Sequence, residues 1–351
     1  MKLCKLEEIG QNCILAKPVM TFDYQVLLAE GTMLRPEYVE KLKNMGITEV
    51  YVVEEFIPNS EEVVILKKDI GDNVKTKIKT VLEKHTYSHN EELSSLDNAA
   101  EDVIMNILEE EQVIEKVFDI KERSSDLYEH SLNLCSMAVL TAVKLGLSKE
   151  EVHDIGVGCL LHDIGLRYLT IQYSNNNLDS MSTVERAEYK KHPVYGYTAL
   201  KNESWISERA KNIILYHHER MDGSGYPLKA TDISFECKIV NVCDAFDEMI
   251  CGIGCERMKV YEAIAHLKDF KNVKFDGKIV DAFLDFTAVY PAGSLVRTSE
   301  GEVGIVIRQN KDLPDRPVLK IVRDKIGNQV LGDMVIDLAD MKNVYIEDVL
   351  D

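Results

Sequence analysis

The sequence contains no long hydrophobic run. No stretch approaches the roughly 20 consecutive apolar residues that a membrane-spanning helix requires. The first residues, MKLCKLEEIG, also lack the apolar segment of a secretory signal peptide. These absences predict a chain without a membrane span that works in the cytoplasm.

Positive charge is scarce relative to negative charge. The 351 residues include 41 Lys and Arg against 60 Asp and Glu, which gives a formal net charge of -19. An acidic chain repels the phosphate backbone of DNA or RNA over a long range. We therefore expect no nucleic-acid polymer as a partner, and any smaller phosphate ligand must be held by local cations.

Paired cysteine motifs are absent as well. The eight cysteines include no C-x-x-C pair, and most of them lie inside apolar runs. In a reducing compartment, isolated cysteines of this kind are usually small buried side chains. We therefore expect the cysteines to contribute to the core and not to a metal site.

The chain is long enough for two or three domains. Its sequence pattern also changes along its length. Residues 1–65 combine two β-type runs, QVLLA and EVYVV, with a helix that Pro36 opens and Gly46 ends. This pattern predicts a small α+β module, for which we expect a regulatory role. Residues 66–118 are predicted to form a helical connector.

Helical periodicity dominates the middle of the chain. Between residues 119 and 290, apolar residues recur at spacings of three and four, which predicts an all-α domain. Residues 291–351 instead alternate β-branched runs with Glu-Gly and Gly-Asn turns, which predicts a small β-barrel-like module. The predicted fold class is therefore multidomain. The apolar stripe within residues 92–118 suits either a homodimer contact or an internal core.

Histidines and acids accumulate in the helical segment. Five of the nine histidines and three aspartates form a candidate metal cluster: Asp126, His130, His162, Asp163, His192, His217, His218 and Asp244. Imidazole and carboxylate donors together suit Fe, Mn, Zn or a similar divalent ion. Because no simple i, i+4 pair accounts for the set, the side chains must converge from different helices. Asp126, four residues before His130, adds a candidate ligand for a third ion.

Each of these residues also has a purely structural explanation. A single histidine in an apolar helix is more often a hydrogen-bonded core residue than a ligand, and Asp163 alone could cap the next turn. The joint occurrence favours a metal site, because several buried imidazoles and acids without a cation would leave polar groups unpaired at about 1 to 3 kcal/mol each.

A glycine-rich turn follows the paired histidines in HHERMDGSGYP. Gly223 and Gly225 permit positive φ and close backbone approach, and Pro227 stiffens the exit from the turn. We expect this loop to form one wall of a substrate cleft, with Arg220 facing a phosphate and Tyr226 offering a stacking surface. The alternative is an ordinary turn with Tyr226 packed beneath it.

The order of these motifs resembles the signature of the HD-GYP family, a branch of the HD phosphohydrolases. The similarity covers roughly residues 120–285 and comprises His130, HDIG with His162 and Asp163, KKHPVYG with His192, HHER with His217 and His218, DGSGYP, and CDAFD with Asp244. The resemblance implies a central all-α HD-type domain that acts as a metal-dependent phosphodiesterase. Many members of the family hydrolyse the bacterial messenger cyclic di-GMP to pGpG or GMP.

The resemblance also implies a mechanism and the roles of the ligands. Asp163 and His162 are expected to be catalytic, with Asp163 bridging two ions and the other histidines and Asp244 completing their coordination. Two cations lower the pKa of a bridging water to give hydroxide, and they neutralise charge that builds on phosphorus. We expect two or three divalent ions, iron or manganese, since mixed histidine and carboxylate ligands favour these metals over structural zinc.

The sequence departs from the family pattern at two places near the substrate. Leu166 stands directly after HDIG, where family members usually carry a lysine that contacts the substrate phosphate. Ile253 begins a run that replaces the Arg-Pro-Tyr of many members. Losing a charge-assisted contact weakens binding by about 1.5 to 3 kcal/mol. The candidate replacement cations are Lys190, Lys191, Arg220 and Arg257, although both lysines equally suit a solvated surface.

Three functional hypotheses are compatible with this pattern. The leading one is a cyclic di-GMP phosphodiesterase, and the second is a hydrolase of another cyclic dinucleotide or nucleotide phosphodiester. The third is a catalytically silent module that senses cyclic di-GMP or metal. The residues expected to contact the nucleotide are Arg220, Gly225, Tyr226, Pro227 and Lys191. The complete ligand set favours catalysis, because a binding module has less need of every ligand.

Overall fold

The computed structural model describes residues 2–7, 9, 13–20, 26–53, 63–88, 91–109, 113, 116–121, 126–171, 178–330, 332 and 334–350. The described residues divide into two compact units, one within residues 1–60 and the other after residue 60. Among them, every helix is too short or too polar to span a bilayer.

The first unit is a small α+β module. Its elements are β1 (Lys2–Lys5), β2 (Ile14–Leu15), β3 (Val19–Met20), β4 (Val26–Leu28), α1 (Pro36–Asn44) and β5 (Glu49–Val53). Strand β5 lies between β1 and β2 with antiparallel pairing on both sides, and β3 pairs with β4. The predicted helix and both predicted strands are confirmed. Pro36 opens α1, and Gly46 follows its end with a φ of 79°.

The second unit contains a helical domain. Its helices, within the described residues, are α2 (Lys68–Ser88), α3 (Ser95–Glu109), α4 (Leu127–Lys144), α5 (Lys149–Leu161), α6 (Thr183–Tyr189), α7 (His192–Leu200), α8 (Glu208–Tyr216), α9 (Phe235–Cys251), α10 (Val260–Asp269) and α11 (Gly277–Leu284). A short 3₁₀ helix, Ile164–Tyr168, follows α5. The predicted central all-α domain is confirmed.

Helix α9 lies at the centre of this domain. It packs against α4, α5, α8, α10 and α11, and its residues Val240, Phe246 and Ile250 are fully buried. Ser234 caps its first turn by accepting a hydrogen bond from the backbone of Cys237, and Gly252 ends it with a φ of 71°. Since α9 is covered on several sides, its residues Asp244 and Asp247 are fully buried.

Helices α2 and α3 share the core of the same domain. Leu96, Val103 and Ile107 of α3 are buried there together with Ile78 of α2. The apolar stripe predicted within residues 92–118 thus serves an internal core in this chain. The sequence boundaries at 65, 118 and 290 stay predictions.

The C-terminal residues form an antiparallel sheet. Its strands are β6 (Leu295–Thr298), β7 (Val303–Arg308), β8 (Val318–Arg323), β9 (Val335–Asp337) and β10 (Ile346–Val349), in the order β10-β6-β7-β8-β9. The Glu300-Gly301 turn predicted between the first two strands is confirmed. The barrel-like shape is not confirmed, because within the described residues β9 and β10 each pair on one side only and the sheet stays open.

One buried carboxylate ties this sheet to the helical domain. Asp119 Oδ2 accepts a hydrogen bond from the backbone of Val63 at 2.9 Å, and its Oδ1 accepts from the backbone of Ala292 at 2.7 Å and from Gln309 Nε2 at 2.8 Å. Asp119 is only 6% exposed. Three segments that are far apart in the sequence therefore depend on one acceptor group.

Replacing this carboxylate should destabilise the second unit. In Asp119→Asn the amide nitrogen would face an N–H donor, so a buried polar group would lose its partner. We expect the free energy of unfolding to fall by about 1 to 3 kcal/mol, measured by urea denaturation. Asp312→Asn, a change at an exposed turn, is the matched control and should leave the midpoint unchanged. An equal midpoint for both variants would contradict the role of Asp119.

Candidate metal centre

Two pairs of buried histidines face each other through their Nε2 atoms. His130 on α4 and His162, directly after α5, are 3.1 Å apart at Nε2. His192 at the start of α7 and His217, directly after α8, are also 3.1 Å apart at Nε2. None of the four is more than 2% exposed. The predicted convergence of these histidines from different helices is what the structure shows.

The other ring nitrogens reveal where the protons lie. Nδ1 of His162, His192 and His217 is in each case 2.7 to 2.9 Å from the backbone carbonyl three residues earlier. Because a carbonyl oxygen only accepts, each Nδ1 donates, and each Nε2 of a neutral ring carries a lone pair. The lone pairs of His192 and His217 therefore point at one another, an arrangement that a cation relieves.

Burial keeps part of this cluster neutral. Burial, reinforced by the nearby imidazoles of His162 and His192, lowers the pKa of His217 to about 3. Burial and the imidazole of His217 likewise hold the pKa of His218 well below its usual range. Neutral imidazole is the form that binds a metal ion. Near neutral pH these two rings can thus bind a cation without first releasing a proton.

Asp163 lies between the two histidine pairs. Its Oδ1 is 3.3 Å from His192 Nε2 and 3.8 Å from His217 Nε2, whereas its Oδ2 is 3.4 Å from His162 Nε2. Burial would raise the pKa of Asp163, but the positive charge that the imidazoles of His162 and His192 carry when they are protonated outweighs it and holds that pKa well below its usual range. The carboxylate is therefore ionised and presents one oxygen to each pair.

Asp244 on α9 supplies a second carboxylate. Its Oδ1 is 3.3 Å from His130 Nε2, and its Oδ2 is 3.4 Å from His218 Nδ1. The residue is fully buried, and neither oxygen has a hydrogen-bond partner among the described residues. Burying an ionised carboxylate without a partner is strongly unfavourable. A bound cation next to Asp244 would remove this penalty.

These donors form groups that fit divalent ions. One group is Asp163, His192, His217 and His218, and another is His130, His162 and Asp244, with the donor atoms of each group within 4.8 Å of one another. The closest nitrogen separations, 3.1 Å, match the roughly 3.0 to 3.4 Å expected between neighbouring ligands that lie about 2.1 Å from one ion. The residues therefore suit a metal centre with mixed nitrogen and oxygen ligands.

The HDIG motif positions His192 by close backbone contact. A Cβ atom on Gly165 would lie 1.8 Å from the backbone oxygen of His192 and 2.7 Å from the nitrogen of Gly196. Only glycine permits this approach between the 3₁₀ helix and α7. The glycine of the motif thus fixes the distance between Asp163 and His192.

The loop after His218 is held by a buried acid. Glu219 accepts hydrogen bonds from the backbone of Leu228 at 2.6 Å and of Ala230 at 3.0 Å. Gly225 fits against the start of the loop, where a Cβ atom would come within 2.5 Å of the backbone of His218 and Arg220. This folding places the Tyr226 ring 4.5 Å from the His218 ring, centroid to centroid.

Some predicted residues lie elsewhere. Asp126 caps α4 by accepting from the backbone of Tyr128 and Glu129, and its other oxygen is 2.8 Å from Lys75 Nζ. It belongs to neither donor group, and its role as a ligand of a third ion stays a prediction.

The basic residues that were expected to contact a substrate differ in their surroundings. Lys191 is half-exposed and pairs with Glu188 at 2.9 Å, whereas the ammonium of Lys190 lies 5.2 Å from the centroid of the Tyr226 ring. Arg220 Nη1 donates to the backbone oxygens of His217 and Glu219. Leu166 and Ile253 are buried. Of these two lysines, Lys190 is the one next to the Tyr226 ring.

Sequence reasoning missed two acids on α9. Asp247 Oδ2 accepts from His130 Nδ1 at 2.8 Å, and Glu248 Oε2 is 4.0 Å from His218 Nδ1. The signal was present, because residues three and four positions after Asp244 share its helix face. Asp247 orients the His130 ring, a role that such carboxylates have beside metal-ligating histidines.

Removing the Asp247 carboxylate should weaken metal binding. Asp247→Ala frees the His130 ring, and we expect the dissociation constant for Mn²⁺ to rise about 10- to 100-fold, measured by competition with a chelating dye. Asp247→Asn keeps one acceptor oxygen and should show a smaller increase. An unchanged dissociation constant in both variants would rule out this role.

Two family models match the chain. One, described as an HD domain, matches residues 102–279, and the other, a KOW domain associated with HD domain, matches residues 295–351. The HDG"Y"P protein Bd1817 from Bdellovibrio bacteriovorus has a similar fold, with a TM-score of 0.55 at 20% identity, over 81% of this chain and 98% of Bd1817.

Curated proteins are similar as well. Cyclic di-GMP phosphodiesterase PA4108 of Pseudomonas aeruginosa is 27% identical over 242 residues, which are 68% of this chain and 58% of PA4108. The cyclic di-GMP phosphodiesterase response regulator RpfG of Xanthomonas campestris pv. campestris is 36% identical over 155 residues, 42% of this chain and 40% of RpfG. The chain thus spans about half the length of these relatives. It belongs to the HD-domain family, and its resemblance to the HD-GYP branch is confirmed.

Proposed function

We propose that the chain is a metal-dependent phosphodiesterase that hydrolyses cyclic di-GMP to pGpG or GMP. The observation that carries the proposal is Asp163, whose two oxygens face different groups of imidazoles. A carboxylate in this position suits two cations a short distance apart, the arrangement used for in-line displacement at phosphorus. Several similar curated proteins are named cyclic di-GMP phosphodiesterases, which supports the choice of substrate.

Two sets of side chains in the centre would bind the metal ions. Asp163 lies between two sets of ligands, which are His130, His162 and Asp244 on one side and His192, His217 and His218 on the other. Divalent ions held there, proposed to be iron or manganese, would activate water for attack on phosphorus and neutralise negative charge. The hydrogen bonds at Nδ1 keep the rings oriented, and the ionised Asp163 supplies negative charge that attracts the cations.

The loop after His218 and the residues that follow α6 would form the substrate side of the proposed site. The exposed part of the Tyr226 ring offers a surface for a purine base, and Lys190 adds a positive charge beside it. Lys190 takes the role expected for Lys191, because Lys191 already pairs with Glu188. The pair of Tyr226 and Lys190 would therefore contact base and phosphate together.

A second substrate class has support of its own. Three similar curated proteins are named 3'3'-cGAMP-specific phosphodiesterases from Vibrio cholerae. An aromatic surface stacks on any base, so Tyr226 alone does not distinguish guanine from adenine. The binding-only hypothesis predicts a different outcome: cyclic di-GMP would bind without giving product.

The first test measures turnover with purified chain loaded anaerobically with Mn²⁺ or Fe²⁺. Cyclic di-GMP and 3'3'-cGAMP are supplied separately, and products are separated by chromatography. His162→Ala removes a ligand and should lower turnover about 100-fold or more, beyond the loss typical for a residue that only orients a ligand. His153→Ala is the control, since His153 is partly exposed and lies 3.5 Å from Asp97. Intact substrates after incubation with metal-loaded native protein would refute the proposal.

The second test concerns the two neighbouring lysines. Lys190→Met removes the charge beside Tyr226, and we expect KM to rise about tenfold, the factor that corresponds to about 1.4 kcal/mol, with a smaller change in kcat. Lys191→Met should leave KM within about twofold, because a surface ion pair contributes little. If the two variants had the same KM, the placement of the phosphate next to Lys190 would be wrong.

A further inference from the structure

The short 3₁₀ helix Ile164–Tyr168 contacts the elements that carry both groups of candidate ligands. On one side, Gly165 lies against the backbone at the start of α7. On the other side, Arg167 Nη1 donates a hydrogen bond to the hydroxyl of Tyr128 at 3.1 Å. Tyr128 lies in the first turn of α4, two residues before His130. The proposed function gives Tyr128 and Arg167 no role.

The Tyr128 hydroxyl is used in both directions. It accepts from Arg167, and it donates to Glu83 Oε1 on α2 at 3.4 Å. A hydroxyl has one proton to donate and lone pairs with which to accept, so both hydrogen bonds can exist together. Each bond has a charged partner, which makes it stronger than a bond between neutral groups. The tyrosine therefore joins α2, α4 and the 3₁₀ helix at a single atom.

Helix α2 holds the first turn of α4 at a second point. Lys75 Nζ is 2.8 Å from Asp126 Oδ2 and 3.0 Å from Glu129 Oε2. Burial alone would lower the pKa of Lys75, but the carboxylates of Glu129 and Asp126 outweigh it and raise that pKa. The ammonium group therefore stays charged. The backbone oxygen of Asp126 also accepts from the backbone of His130 at 2.8 Å, so Lys75 pairs with the turn that carries this histidine.

The position of this turn affects the metal centre directly. Helix α4 begins at Leu127, so His130 lies in its first turn. The first N–H groups of a helix have no partner inside the helix, and helix ends fray more readily than the middle. Ligands of a metal ion must nevertheless be held within about 0.5 Å of their productive positions. Contacts from outside α4 therefore help to hold His130 Nε2 at 3.1 Å from His162 Nε2.

We propose that Tyr128 and Arg167 are positioning residues of the metal centre. Their hydrogen bond fixes the first turn of α4 to the 3₁₀ helix, and α2 supports the tyrosine from the other side. The spacing of His130 and His162 then depends on a hydroxyl group that is not itself a candidate ligand. The inference rests on the proposed metal centre, and it is independent of which cyclic dinucleotide is hydrolysed.

The test removes the hydroxyl and keeps the ring. In Tyr128→Phe we expect the dissociation constant for Mn²⁺ to rise about tenfold, the lower end of the effect seen when a group behind a metal ligand is lost. Competition with a chelating dye measures it, and the electron paramagnetic resonance spectrum of bound Mn²⁺ should change because the ligands shift. A loss of global stability alone would leave both readouts unchanged while almost all of the protein stays folded.

Two variants of Arg167 test the other end of the hydrogen bond. Arg167→Met removes the donor and should weaken Mn²⁺ binding by a similar factor, whereas Arg167→Lys keeps a charged donor and should recover part of the affinity. Combining Tyr128→Phe with Arg167→Met should cost no more than either change alone, because both remove the same bond. Losses that add in the double variant would overturn the shared role.

Two control variants make the result specific. Tyr197→Phe removes a hydroxyl from α7 that has no hydrogen bond to a described residue. Lys77→Met changes a half-exposed lysine of α2 that forms no ion pair among the described residues. Both should keep the native dissociation constant. An unchanged constant and spectrum in Tyr128→Phe, or an equal rise in the two controls, would overturn the positioning role.

Metal binding separates this inference from the proposed activity. If Tyr128→Phe weakens Mn²⁺ binding but native protein hydrolyses no cyclic dinucleotide, the positioning role stands and the proposed function falls. If native protein hydrolyses a cyclic dinucleotide while Tyr128→Phe binds Mn²⁺ as native protein does, the proposed function stands and the positioning role falls.

Discussion

The structure depends on the requirement that buried imidazole lone pairs and carboxylates be matched by positive charge. The Nδ1 hydrogen bonds of His162, His192 and His217 to backbone carbonyls fix the rings with Nε2 directed inward. Asp163 and Asp244 then add negative charge to the same small volume. Without cations this interior would combine facing lone pairs with buried anions, so the polypeptide is arranged for ions.

The helical domain supplies the rigidity that such a centre needs. Helix α9 lies among five other helices and carries Asp244, Asp247 and Glu248 on neighbouring positions. Gly165 allows α7 to approach the 3₁₀ helix after Asp163 closely enough to bring His192 next to Asp163. These contacts are made by backbone and buried side chains, which explains how ligands from distant parts of the sequence hold separations near 3 Å.

Few charged groups are available around Tyr226 for contact with a ligand. Of the cations expected there, Lys191 pairs with Glu188 and Arg220 donates to backbone oxygens. Lys190 and Tyr226 remain as a contact surface. Under the proposed function, binding of a doubly charged cyclic dinucleotide would depend mainly on the ions themselves.

Local patterns in the sequence were sufficient for most of the elements and for the histidines that the structure brings together. Pro36 and Gly46 set the ends of α1, alternation predicted β6 and β7, and the spacing of the histidines indicated convergence in a helical domain. The sequence alone did not show that Asp126 caps α4, nor that Lys190 lies beside Tyr226 while Lys191 pairs with Glu188, because adjacent residues have the same local chemistry. Only the tertiary structure decided these cases, along with the open C-terminal sheet and the position of Glu248. Which oxygen faces which nitrogen depends on the packing of α4 against α9 and of α7 against α8 and the 3₁₀ helix, and that packing is set by contacts between residues far apart in the chain.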